Sequence, residues 1–318
     1  MSDLRQFMTC VSRLFGWSLL AAACLSAGVA AAAPATTPAP TCRELERRFD
    51  LLARDISPVQ LNLLLFSAAD SGCVPLARRL LEAGASLEAR DRLGAMPLAR
   101  AARVGHVALI ELFLANGAAI DARNLYGASA LYGAAENERG TSVASLLAKG
   151  ADPNLAGPSG VTPLAAAAFK GNGRIVDALL ARGADPNIPD KTGKTAIAYA
   201  AARGFALIVR RLVDAGVDAK RRYGNDLTAL MWVAGHEDGV GTQAALEVAT
   251  VLLAAGALVD AVDNRGRTAL MIAAELGTAE LVELLLAHGA DRTIADKDGK
   301  RALDLASNES VREKLAVP

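Results

Sequence analysis

One phrase recurs at a fixed interval through most of this chain. Leu80-Leu81-Glu82-Ala83-Gly84-Ala85 returns with its glycine at Gly117, Gly150, Gly183, Gly216, Gly256 and Gly289; every step is 33 residues except one of 40, between Gly216 and Gly256. Such a period marks small units stacked in a row, each burying its apolar face on the next, and argues against one globular core with one deep pocket. Within residues 157–189, Pro158-Ser159-Gly160 is turn chemistry. Thr162-Pro163 starts a helix, with a capping hydroxyl and a proline where no N–H is needed. Gly171 stops it, and Ile175, Val176, Leu179 and Leu180 predict the apolar face of a second helix ending at Gly183. Ala165 to Ala168 make the first helix narrow enough for a neighbour to pack closely.

The same frame returns throughout. Met96-Pro97-Leu98, Ser129-Ala130-Leu131, Thr195-Ala196-Ile197, Thr228-Ala229-Leu230, Thr268-Ala269-Leu270 and Arg301-Ala302-Leu303 hold the helix-start slot. Asp91, Asn124, Asp190, Asp263 and Asp296 open the preceding turns, each with a glycine three residues on; at 226 that slot holds Asp226. These phrases resemble the ankyrin repeat, whose marks are T-P-L-H-x-A-A and L-L-x-x-G-A. The resemblance implies an all-α ankyrin repeat solenoid: helix-turn-helix units joined by β-turn or hairpin loops. Seven repeats fall at 58–90, 91–123, 124–156, 157–189, 190–222, 223–262 and 263–295. A capping helix at 41–57, opening on Thr41-Cys42-Arg43-Glu44 and carrying Leu45, Phe49 and Leu52, and a C-terminal capping unit at 296–318 close the ends. Two departures stand out. The family's His after T-P-L is absent, with Ala99, Tyr132, Ala165, Ala198, Met231 and Met271 in its place, so another group must hold the loop. The first unit also lacks the Asp-x-x-Gly-x-Thr opening.

The beginning of the chain reads differently. Arg5 and Arg13 precede an apolar run from Leu14 to Val29, and Ala30 to Ala33 offer small-residue cleavage sites. Residues 1–33 are therefore expected to be a secretory signal peptide. Retention as a membrane anchor, or lipidation at Cys24, are the rival readings. Residues 34–40 form a Pro/Thr/Ala linker. Cys42 and Cys73 remain as an even pair in an exported chain and are the expected disulfide.

Chemistry is sparse. Lys plus Arg and Asp plus Glu number 34 each, so no net field favours nucleic acid or an anionic membrane; local patches are a separate matter. His106 and His288 lie in separate repeats. Gly171-Asn172-Gly173 lacks the third glycine of a nucleotide loop, and Asp296-Lys297-Asp298-Gly299 has Ser307 where a calcium loop needs Glu. The seven-residue excess of repeat six falls around Gly235 to Thr242 and reads as a solvated loop, with a partner contact as the rival; three adjacent ligands without a scaffold make His236, Glu237 and Asp238 poor candidates for a metal, an enzyme site or a small molecule. The expectation is no catalytic residue, no cofactor and no metal.

The resemblance implies that turn tips and first helices line a concave binding face. On this sequence that face carries Arg103, Leu125, Tyr126, Phe169, Lys170, Lys191, Lys194, Arg203, Trp232, Arg265 and Arg267. The types that dominate interfaces, Tyr, Trp and Arg, are among them. The expected role is a monomeric, non-enzymatic, periplasmic scaffold for another protein, with no nucleic-acid partner and no membrane contact after signal cleavage. By analogy it resembles accessory factors linked to catalase and oxidative stress, or immunity proteins against a secreted toxin. N-terminal sequencing of the exported protein tests the leader: a start near residues 31–34 is expected, and an intact leader would establish the anchored form.

Overall fold

The computed structural model describes residues 40–52, 55–235 and 240–316. The leader and linker through Ala39, and the loop residues His236–Asp238, lie outside them. Among the described residues, strand pairing is confined to two single bridges, Arg222 with Thr228 and Ala295 with Arg301. Everything else regular is helical. A first helix, α1 (Cys42–Leu52), precedes a succession of helix pairs. These are α2 (Pro58–Ser71) with α3 (Val74–Glu82), α4 (Pro97–Val104) with α5 (Val107–Ala115), and α6 (Ala130–Glu136) with α7 (Gly140–Ala148). Then come α8 (Pro163–Lys170) with α9 (Gly173–Leu180), α10 (Ala196–Ala202) with α11 (Ala206–Asp214), and α12 (Ala229–Ala234) with α13 (Thr242–Ala254). The last are α14 (Ala269–Leu276) with α15 (Ala279–Ala287), and a short pair, α16 (Ala302–Leu305) with α17 (Glu309–Ala316).

Two layers result. First helices pack on first helices in chain order, from α2 to α16, and second helices on second helices, from α3 to α17. The reason lies in side-chain size. Every residue of α10 (AIAYAAA) is buried, because alanine lets neighbours approach from both sides; α12 (ALMWVA) is also buried throughout, with its larger side chains filling the gaps beside α10 and α14. Second helices bury one face only: α9 buries Ile175, Val176 and Leu179. Leu180, expected beside Leu179 in that face, is half-exposed. One residue further turns about 100° round the helix, which carries Leu180 onto the flank.

The helix starts follow the capping chemistry read from the sequence. Ser129, Thr162, Thr228 and Thr268 side chains accept from Tyr132, Ala165, Met231 and Met271 N–H at 3.1 to 3.3 Å. The turns before them share one device. Asp91 Oδ1 accepts from the N–H of Leu93 and Ala95 at 2.8 and 2.9 Å, and Asn124, Asp190, Asp263 and Asp296 repeat this in their own turns. Successive tips are joined by backbone bonds: Leu125 N–H to Leu93 O, Lys191 to Ser159, Asn264 to Asn225 and Lys297 to Arg265. Arginines tie the same edge, with Arg90 donating to Arg123 O and Arg123 to Ala156 O, at 2.9 and 2.6 Å. Asp226, where the frame has glycine, sits at φ 59 beside Asn225 at φ 62, so this turn reaches left-handed backbone without glycine.

The N-terminal end is closed by α1, which lays Leu45 and Phe49 on α2 and α3. Arg79 of α3 stands 4.8 Å from the centre of the Phe49 ring and pairs with Asp50 at 2.6 Å. Cys42 and Cys73 are joined as a disulfide, with Cα atoms 5.4 Å apart. At the insertion, α13 takes up part of the excess: it runs 13 residues against nine in α11. Its added turn packs on the preceding repeat, where a Cβ on Gly204 would stand 3.0 Å from Ala244 Cβ.

Two measurements check this packing. Leu179→Ala is expected to cost about 2–5 kcal/mol in denaturant unfolding, and Leu180→Ala clearly less; equal losses would contradict the placement of the second helix. Cys42→Ser is expected to remove about 3–4 kcal/mol, and intact mass without reductant should be two protons below the reduced chain.

Candidate functional site

The face built by the turn tips and first helices has an aromatic centre. Tyr132 of α6 holds the slot after Leu131 and is buried. Its ring lies against the next turn: a Cβ on Gly157 would stand 2.5 Å from the Tyr132 ring. This explains why the turn opens with glycine where the frame has Asp or Asn. The Tyr132 hydroxyl donates to Glu136 Oε1 at 3.3 Å. Burial pushes both the Tyr132 hydroxyl and the Glu136 carboxyl up from their ordinary values, the latter offset by the Tyr132 bond and by the charges of Lys170 and Arg103.

Repeat five places its tyrosine one position later and turns the hydroxyl onto its own turn. Tyr199 of α10 donates to Asp190 Oδ2 at 2.5 Å, while Asp190 Oδ1 holds the turn amides of Thr192 and Lys194. Burial, then Asp190, raises the Tyr199 hydroxyl. The missing family His is thus replaced piecemeal at the second oxygen of the turn carboxylate. Arg100 takes Asp91 Oδ2 at 2.9 Å, Tyr199 takes that of Asp190, Arg265 takes that of Asp263 at 2.7 Å, and Arg267 approaches that of Asp296 at 3.3 Å. Asp70 of α2 also pairs with Arg100, linking two repeats.

Phe169 meets Tyr199 edge to face, with ring centres 5.9 Å apart and planes at 87°. Arg203 stands 5.0 Å above Phe169 and 6.0 Å above Phe205. Lys194 lies 4.8 Å from the Trp232 ring centre and 5.6 Å from that of Tyr199.

The residues expected on the binding face therefore sort by depth. Leu125 and Tyr126, at the repeat-three tip, are 75% and 56% exposed. Arg103, Lys170 and Lys191 are exposed; Phe169 and Arg203 are half-buried. Arg265 and Arg267 are half-buried and held in ion pairs, to Asp263 and to Glu275 with Asp296. Lys194 and Trp232 are only 7% and 8% exposed, which corrects their expected place on the surface. The stack of first helices closes around the indole, whose Nε1 is buried with no acceptor. Sequence reasoning missed the Tyr132–Gly157 contact; its signal was the loss of Asp or Asn at position 157 beside the largest residue in the His slot. Among the described residues, no group of three or more His, Cys, Asp or Glu is placed to hold a metal ion, and no helix is long and apolar enough to cross a membrane.

A family model for ankyrin repeats (3 copies) matches residues 65–157, 164–257 and 240–315. Ankyrin repeat and SOCS box protein 11 of Danio rerio is 48% identical over 48 residues, which are 15% of this chain; the match spans 16% of that relative's length. The crystal structure of the human ASB11 ankyrin repeat domain superimposes with a TM-score of 0.61 at 27% identity, covering 70% of this chain and 96% of that one.

Two outcomes follow from this geometry. Gly157→Asp is expected to cost about 1–3 kcal/mol through the clash with Tyr132, and much less in a Tyr132→Ala background; additive losses in the double-mutant cycle would contradict the contact. Glu136 has a raised folded-state value, so its contribution is fully present below the unfolded carboxylate range and the folded state loses stability as pH rises from there through the raised folded value. Glu136→Gln should then stabilise near neutral pH, with the gain vanishing in acid; thermal melts across pH read this directly.

Proposed function

The chain belongs to the ankyrin repeat family, and from that premise we propose that it is an exported, non-enzymatic scaffold that holds a partner protein on its turn-tip and first-helix face. The observation that carries the reading is the tip of repeat three, where Leu125 and Tyr126 stand side by side, 75% and 56% exposed. Two adjacent large apolar residues at a turn tip cost free energy in water, and such surface marks interaction sites. Phe169 lies on the first helix of the next repeat with Arg203 over its ring, and Arg103, Lys170 and Lys191 are exposed at first-helix ends and a tip of repeats two, four and five. Lys194 and Trp232 act from beneath, by holding the tip of repeat five on α12.

Export to a periplasm is supported by the apolar leader and by the Cys42–Cys73 disulfide, a bond that persists in oxidising compartments. A stabilising or accessory role toward one folded partner fits a broad face better than a reaction does, since catalysis needs convergent polar groups in a pocket.

Affinity capture from periplasmic extract with wild type and Leu125→Ala/Tyr126→Ala tests the reading. The double variant is expected to lose the captured partner while its stability stays within about 0.5 kcal/mol of wild type. Undiminished capture would contradict it. Trp232→Ala should instead destabilise by about 3–5 kcal/mol, which separates a buried support from a contact residue.

A further inference from the structure

We infer that the face across repeats two to five takes a segment of a partner protein that carries carboxylates next to a large apolar side chain. The inference rests on the protein-binding reading above and adds the chemistry of the partner. The chain as a whole is neutral, so the argument is local.

Along this face, Arg103 lies in the last turn of α4, Glu136 ends α6, Lys170 ends α8 and Arg203 follows α10. Arg103 and Lys170 are exposed and flank the half-buried Glu136 from the repeats on either side, both acting on its carboxyl. That carboxylate thus stands between two exposed cations, with Lys191 a third at the next tip. Several guanidinium groups elsewhere are answered within the fold: Arg79 by Asp50, Arg100 by Asp70 and Asp91, Arg211 by Asp177, and Arg267 by Glu275 and Asp296. Among the described residues, Arg103, Lys170 and Lys191 make no ion pair. These side chains are exposed, and so are Leu125 and Tyr126 at the repeat-three tip. Complementary charge at a rim fixes register and speeds encounter, while the apolar pair supplies contact area. A nucleic-acid backbone fits less well: it would leave Leu125 without an apolar counterpart.

The test is selection from a display library of short random peptides on the full exported chain, then fluorescence anisotropy of a labelled selected peptide. Peptides rich in Asp and Glu with at least one Leu, Phe, Tyr or Trp are expected. Arg103→Glu/Lys170→Glu should weaken the selected peptide about 10-fold or more, and raising salt from about 50 to about 500 mM should weaken it further. Peptides without acidic excess, or an acidic peptide indifferent to the charge reversal but sensitive to Leu125→Ala/Tyr126→Ala, would overturn the inference and leave the scaffold reading standing. A peptide indifferent to both double variants would overturn both. Oligothymidine bound as tightly as the peptide would overturn it in favour of a nucleic-acid ligand. A library yielding nothing above background would also overturn it.

Discussion

The structure depends on how closely one first helix can lie against the next. Each unit is too small to bury its own apolar surface, so its stability comes from its neighbours. Alanine in α8, α10 and α14 makes that approach possible, and the helices become buried all round or nearly so. Once first helices stack, the turns that precede them fall into a row, and their side chains are fixed by the same spacing. Second helices need larger residues because they contact the stack on one side only, as Ile175, Val176 and Leu179 do.

Close stacking also decides which residues can work as a surface. Large side chains near the helix start, Tyr132 in the slot after Leu131 and Trp232 one position beyond that slot in its own repeat, have nowhere to go but into the gap between adjacent first helices and turns. There they become supports. What remains outward is the tip itself and the last turn of each first helix, which is where Tyr126, Lys170 and Arg103 lie. The turn carboxylates follow the same logic. With the family His gone, the second oxygen of Asp91 or Asp190 still needs a donor, since an unanswered buried carboxylate is costly. Each repeat recruits whatever donor its own sequence supplies, an arginine in one and a tyrosine in another.

Much of this was legible in the sequence because it is local and repeated. The helix starts at Ser129, Thr162, Thr228 and Thr268 are set by hydroxyl chemistry that a four-residue window contains. The turn openings at Asp91 and Asp263 are equally local. Depth was not legible. Leu180 and Leu179 look alike in a pattern, and their separation depends on helix phase. Trp232 reads as an interface residue by type, yet its burial depends on α10 and α14 packing around α12, which no window around position 232 contains. The Tyr132–Gly157 contact spans two repeats; only the broken frame at Gly157 hinted at it.

The central claim is that the working surface is the row of turn tips and first-helix ends, with the second-helix layer as support. Hydrogen–deuterium exchange of the full chain with and without its captured partner tests this most directly. The account predicts new protection at the tips around residues 92–94, 125–127 and 191–193 and at the ends of α4, α6 and α8, with α5, α7 and α9 unchanged. Protection concentrated on α5, α7 and α9, with the tips unaltered, would contradict it.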